Sequence, residues 1–210
     1  MVQIIPLMRN ARAKMVLAQG PFDEAKSALD SKGYGVASLE EVARARMEQG
    51  PNSKVSRVGG FTREAMITLP NGKVYLTKRS FILENAKYAV DCTRAIKEVY
   101  LSEEQLKQSL DGALELPDYS GFISTRDNFD KNEITKFIFG KYAGDYGRFL
   151  DKKVKVHSFA FCSDDFLADK DLSSPFVRQV HFTEPDADGV ENFHGVSFYL
   201  HLNNFVFGVK

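Results

Sequence analysis

Asp130-Lys-Asn-Glu-Ile134-Thr-Lys-Phe-Ile138-Phe-Gly140-Lys-Tyr-Ala-Gly144-Asp-Tyr-Gly147-Arg-Phe-Leu150-Asp-Lys-Lys-Val154-Lys-Val-His157-Ser-Phe-Ala-Phe-Cys162 changes its hydrophobic period part-way along. Up to Leu150 the apolar residues Ile134, Phe137, Ile138, Tyr142, Tyr146, Phe149 and Leu150 recur at the 3.6-residue spacing of a helix. After it they alternate, as on a strand with one buried side. The switch predicts a long helix, opened by Asp130 with Glu133, lying against a sheet that follows it. Gly140, Gly144 and Gly147 form a stripe without side chains on that helix, so another part of the chain is expected to press close against it.

Beyond Cys162, Phe176–Thr183 and Val196–Leu202 keep the two-residue period, and Asn203-Asn204 turns the last run into Phe205–Val209. These runs predict an antiparallel C-terminal sheet. Upstream, the pattern is helical over 7–19 until Gly20. Pro21 opens a second helix carrying Phe22, Ala25 and Leu29, and Ser38 with Glu41 forms a capping box for a third that ends at Gly50-Pro51. Asn71-Gly72 between two β-prone runs predicts a hairpin with a type I′ turn over 64–79. A helix over 81–100 with Cys92 on its buried face, and another capped by Ser102 and Gln105, complete the first half. The fold class is therefore α+β: an N-terminal helical lobe with one hairpin over 1–117, then the helix and sheet over 118–210. Pro117-Asp-Tyr-Ser-Gly121 is the expected boundary, if the two are separate units at all.

With 210 residues, 43% of them hydrophobic, the chain can build a core without staples, which argues against disorder. Cys92 and Cys162 stand far apart in no ligand spacing, so neither a disulfide framework nor a structural zinc site is expected. The apolar N-terminal run is broken by Pro6 and Arg9, too short for a secretory core or a membrane span. A soluble, cytoplasmic protein with no membrane partner is the expectation. Net charge is zero, yet residues 1–100 hold 16 Lys/Arg against 10 Asp/Glu and residues 101–210 hold 12 against 18. Such asymmetry marks either an anion-binding half or two regions of opposite sign that meet.

Chemistry-bearing residues are sparse. His157, His181, His194 and His201 all fall in the C-terminal region, and the first, second and fourth lie opposite the aliphatic side of their predicted strands. One face could therefore gather imidazoles for a metal or for proton transfer, with Asp164 or Asp165 as companions, although no H-x-H or H-E-x-x-H spacing is present. Lys54, Arg57, Arg63, Lys73, Lys78 and Arg79 stand against Glu64 alone in 51–80. Three short helices followed by a basic hairpin resemble the element order of a winged helix, though Gly59-Gly60 would cut a recognition helix at 52–58 to about two turns. Asp186-Ala-Asp188-Gly189 reads as a turn rather than a calcium loop. No nucleophile elbow, P-loop, dinucleotide fingerprint or kinase signature is present. Three functions follow from these residues: a non-enzymatic protein acting through its surfaces on a protein partner or on itself, a nucleic-acid binder using 51–80, and a histidine- or metal-dependent hydrolase. No cofactor or metal is assigned.

Overall fold

The structure, a computed structural model, describes residues 2–7, 15–117, 120–162, 173–184, 190–196 and 200–210, with the backbone alone at 120, 161, 162 and 190–196. Its class is α+β. β1 (Gln3–Pro6) pairs with β2 (Met15–Gly20), and β2 with β12 (Asn204–Val209), both antiparallel. β12 touches β4 (Gly60–Thr68) in parallel, and β4 pairs antiparallel with β10 (Phe176–Phe182). The sheet then continues through β11 (Val190–Val196), β9 (Ser158–Cys162) and β8 (Ser120–Ser124). Short strands β3 (Gly35–Val36), β5 (Val74–Thr77), β6 (Val99–Tyr100) and β7 (Leu114–Glu115) join at its margins. Strands from both sides of Pro117 thus enter one sheet.

Alternation along the central strands separates two cores. Met15, Leu17, Met66 and Phe207 face a layer made by α2 (Leu39–Gln49), α6 (Glu133–Phe139) and α7 (Ala143–Phe149). Val16, Ala18, Phe61, Ala65 and Val206 face α1 (Phe22–Ser31) and α4 (Ala86–Arg94). Strands covered on both faces read as continuous apolar runs. This is why Met15-Val-Leu-Ala18, expected in a helix over 7–19, is strand β2; residues 8–14 of that expectation lie outside the described residues. Gly208 lets α1 sit directly on β12, since a Cβ there would overlap Leu29 Cδ2 and lie 3.0 Å from Val16 Cγ2.

Several local expectations change in physical detail. The helix after Asp130 is capped by Asn132, whose Oδ1 accepts from the N–H groups of Ile134 and Thr135 at 2.9 and 3.4 Å. It is interrupted at Gly140 (φ +54°), resumes as α7 and ends in a π-turn over Leu150–Val154. Something does press on its glycines: a Cβ at Gly147 would lie 2.9 Å from Phe129 Cδ1. The sheet is mixed rather than wholly antiparallel, because β11 runs parallel to β9. Of the strand expected over 196–202, Val196 is the last residue of β11, 197–199 lie outside the described residues, and residues 200–203 turn into β12. Phe205–Val209 is no edge; it lies between β2 and β4. In the 64–79 hairpin only Gly72 takes a left-handed φ (+83°), whereas a type I′ turn needs two such residues. A longer loop, closed by Leu69 and Lys73, replaces it. The helix over 81–100 is split into α3 (Phe81–Glu84) and α4, leaving Ile96 80% exposed, and α5 (Glu103–Leu110) follows with the Ser102–Gln105 capping box. The segment 54–57 is a single 3-10 turn, and β2 replaces the first of the three helices, so the winged-helix order dissolves.

Candidate binding site

The second helix organises the candidate site, and its placement follows from its sequence. Ser38 and Glu41 close the capping box at its start, with the Glu41 carboxylate accepting from the Ser38 N–H at 2.7 Å. Leu39, Val42 and Ala43 bury one face. Arg46 is wholly buried, donating through Nε to Val55 O at 3.1 Å, through Nη2 to Val58 O and Thr183 O at 2.9 Å each, and through Nη1 to Tyr146 Oη at 3.3 Å. Its guanidinium also lies 4.4 Å over the Phe182 ring. Three segments are thereby tied to one turn of α2, which makes the helix a rigid platform.

The other face of α2 carries Glu41, Arg44, Ala45 and Glu48, at the i, i+3, i+4, i+7 spacing of one helical stripe. With Met15 at the start of β2 and Val209-Lys210 at the end of β12, these residues line a cleft of about 360 Å³. Its floor is apolar: Met15 and Ala45 are buried and Val209 is half-buried. Its rim alternates in charge. Arg44 is steadied 4.9 Å over the Tyr142 ring, and Lys210 donates from Nζ to Lys32 O at 3.2 Å.

A second, smaller cleft of about 220 Å³ opens at the N-terminal end of the same helix, lined by Ser38, Glu40, Arg63, Glu64, Lys78 and Ile138. Glu64 is buried; both of its carboxylate oxygens accept from the Leu39 N–H, at 3.2 and 3.0 Å. Burial holds its carboxyl above the ordinary carboxylate range, and the hydrogen bond from Leu39 only partly opposes that. Gln179 steadies the strand beneath, donating from Nε2 to the carbonyls of Thr62 and Glu64 and accepting from Ser80 Oγ at 2.7 Å. Arg63 bridges to Glu41 at 3.1 Å, so one ion pair has a member in each cleft.

The residues singled out from sequence are distributed differently. Of the basic set, Arg63 and Lys78 share the smaller cleft, with Lys78 Nζ 4.9 Å over the Phe137 ring. Lys73 bridges Glu115 at 2.9 Å and Arg79 bridges Asp111 at 3.0 Å, while Arg57 donates to Asn52 Oδ1 at 3.0 Å and Lys54 is exposed. Lys73, together with Tyr75, holds the Glu115 carboxyl below its usual range. Three of the six, Arg63, Lys73 and Arg79, are thus met by carboxylates of the chain itself. The histidines meet three separate neighbourhoods. His157 Nδ1 lies 3.0 Å from Arg126 Nη2 and 3.4 Å from Asp151 Oδ1, His181 packs edge-on against Phe61, and His201 Nδ1 is 3.3 Å from Thr93 Oγ1. His194 is the cross-strand neighbour of His181 by register, and its side chain, like Asp164 and Asp165, lies outside the described residues. Among the described residues no three His, Cys, Asp or Glu are placed to hold a metal, and no helix is long and apolar enough to cross a membrane.

No protein-family model matches the sequence, and no curated protein matches it. A solved structure does, over 96% of this chain and 98% of its own, with a TM-score of 0.65 at 14% identity. That structure is described as "Accommodation of massive sequence variation in Nanoarchaeota by the C-type lectin fold". This chain has a C-type lectin fold. The C-type lectin core here is the mixed sheet with its two buried faces, and α2 with its clefts stands on one of them. Sequence reasoning found the capping box of α2 but missed Arg44, Glu48 and Lys210. The Glu41/Arg44/Glu48 stripe was visible as a polar face; the contribution of Met15 and Lys210 depends on β2 pairing with β12, which no local pattern reveals.

Proposed function

We propose that the protein is a non-enzymatic binding protein whose larger cleft, beside α2, takes a short extended segment of a partner polypeptide. The observation that carries this reading is the cleft's construction: an apolar floor of Met15, Ala45 and Val209 inside a rim of alternating charge. Its volume of about 360 Å³ lies within the usual 300–1,000 Å³ of ligand sites. From Glu41 to Glu48 the helix rises about 10 Å at 1.5 Å per residue, the length of roughly three extended residues. An apolar side chain on the floor, with a cation toward Glu48 and an anion toward Arg44 or Lys210, complements the rim, where Glu41 is already bridged to Arg63. The whole-chain likeness to a structure described as a C-type lectin fold that accommodates massive sequence variation supports a binding role. Sparse cysteine usage supports a reducing, cytoplasmic setting for this activity.

Isothermal titration with tetrapeptides of the pattern cation-apolar-apolar-anion tests it. Saturable binding that weakens on Glu48→Lys or Lys210→Glu, and persists for a peptide with the charge order matched to the reversed rim, is the expected result. Binding indifferent to both reversals would remove the cleft from the reading.

A further inference from the structure

The smaller cleft carries an inference that does not depend on the peptide reading. Two residues of opposite charge, Glu40 and Lys78, line it, yet they do not pair with each other, and neither has an ion-pair partner among the described residues. Lys78 Nζ instead rests over the Phe137 ring of α6, and the Glu40 carboxylate lies near Gly140, the residue that follows this helix, so both charges sit near its C-terminal end. Ile138 also lines the cleft, although its side chain is almost wholly buried. Arg63, committed to Glu41 by one arm, keeps further N–H donors for the same space. Opposite charges held apart across a small cleft leave a gap that a cation alone or an anion alone satisfies on one side only.

We infer that this cleft binds a free α-amino acid: the carboxylate on Lys78 and Arg63, the ammonium on Glu40. At about 220 Å³ the cleft is below the range of drug-sized sites, which fits a ligand of this size. No bond is made or broken; the ligand supplies the charges that the cleft leaves unbridged.

The experiment is isothermal titration of the full chain with L-valine, 3-methylbutanoate, which lacks the amine, and isobutylamine, which lacks the carboxylate. Saturable binding of valine alone is expected. Lys78→Gln and Glu40→Gln should each weaken it about 10- to 100-fold, the usual worth of a charge-assisted hydrogen bond. Both positions are on the surface of the cleft, and unchanged thermal midpoints confirm that the variants remain folded. No saturable heat with valine, leucine or alanine overturns the proposal. So does equal binding of 3-methylbutanoate or isobutylamine, which would make the cleft a simple anion or cation site. Valine binding that survives both substitutions places the ligand elsewhere and overturns it as well.

Discussion

Replacing Arg46 with Met keeps most of the side chain's length and apolar contact while removing the guanidinium. Three backbone carbonyls, those of Val55, Val58 and Thr183, then lose their donor, and Tyr146 loses a partner. A buried acceptor left unsatisfied costs about 1–3 kcal/mol. Val55 is sealed from solvent and bears that cost in full, whereas Val58 and Thr183 are half-buried and water can return to them. The buried guanidinium no longer has to be desolvated, which offsets part of the loss. The net cost is about 2–4 kcal/mol, a large fraction of the roughly 5–15 kcal/mol that holds a domain folded. Equilibrium urea unfolding reads it as a lower midpoint at unchanged slope, and Arg46→Lys, which can reach only some of the acceptors, should fall between. Hydrogen exchange of the α2 amides should rise in parallel, because the helix loses its tie to the 55–58 segment and to β10. A Met variant within about 0.5 kcal/mol of the parent, the range of ordinary surface substitutions, would refute the platform role given to this residue.

Ile96 occupies the position after α4 where helices favour glycine: its φ is +56°, its N–H donates to Thr93 O at 3.1 Å, and the next N–H donates to Cys92 O at 2.9 Å. Relief of the left-handed strain exceeds the added freedom of glycine in the unfolded chain, so Ile96→Gly should raise stability by about 0.5–1 kcal/mol; a lower urea midpoint would contradict this. Gly208→Ala should cost about 1–3 kcal/mol through its overlap with Leu29, and a double-mutant cycle with Leu29→Ala should show the two positions coupled; additive effects would mean that α1 yields freely. Glu64 has a carboxyl raised by burial, so the folded state holds its proton at pH values where the unfolded chain has lost it. Stability from this group is therefore fully present below the unfolded value near 4.5 and declines as pH rises through the folded value. Glu64→Gln should remove that decline; a variant with the parent's pH profile would assign the slope elsewhere.

What the sequence made legible were the features written locally. The capping boxes at Ser38 and Ser102 are both present, as is the close approach forced by the Gly147 position. The period switch near Leu150 gave the right class. What failed depended on partners distant in the chain. The Met15–Ala18 run is buried on both faces because helices cover the two sides of β2, and such a strand loses the alternation that would distinguish it from a helix. The parallel pairing of β9 with β11 is likewise a matter of topology, to which side-chain periodicity is blind. The candidate site shows the same division. Arg63 and Lys78 stood out as charge in a basic stretch, but their meeting with Glu40 at the end of α6 required β4, β5 and α2 to be assembled. Arg46, read from sequence, was one more cation on a helix; its burial follows from carbonyls contributed by residues 9, 12 and 137 positions away.

Whether ligand is taken beside α2 is decided by amide chemical-shift mapping of the ¹⁵N-labelled chain against the tetrapeptide series. Saturable shifts confined to Glu41, Arg44, Ala45, Glu48, Val209 and Lys210, reduced by Glu48→Lys, are expected. Saturable shifts that gather instead around Arg126, Asp151 and His157, or around Lys54 and Arg57, would contradict it.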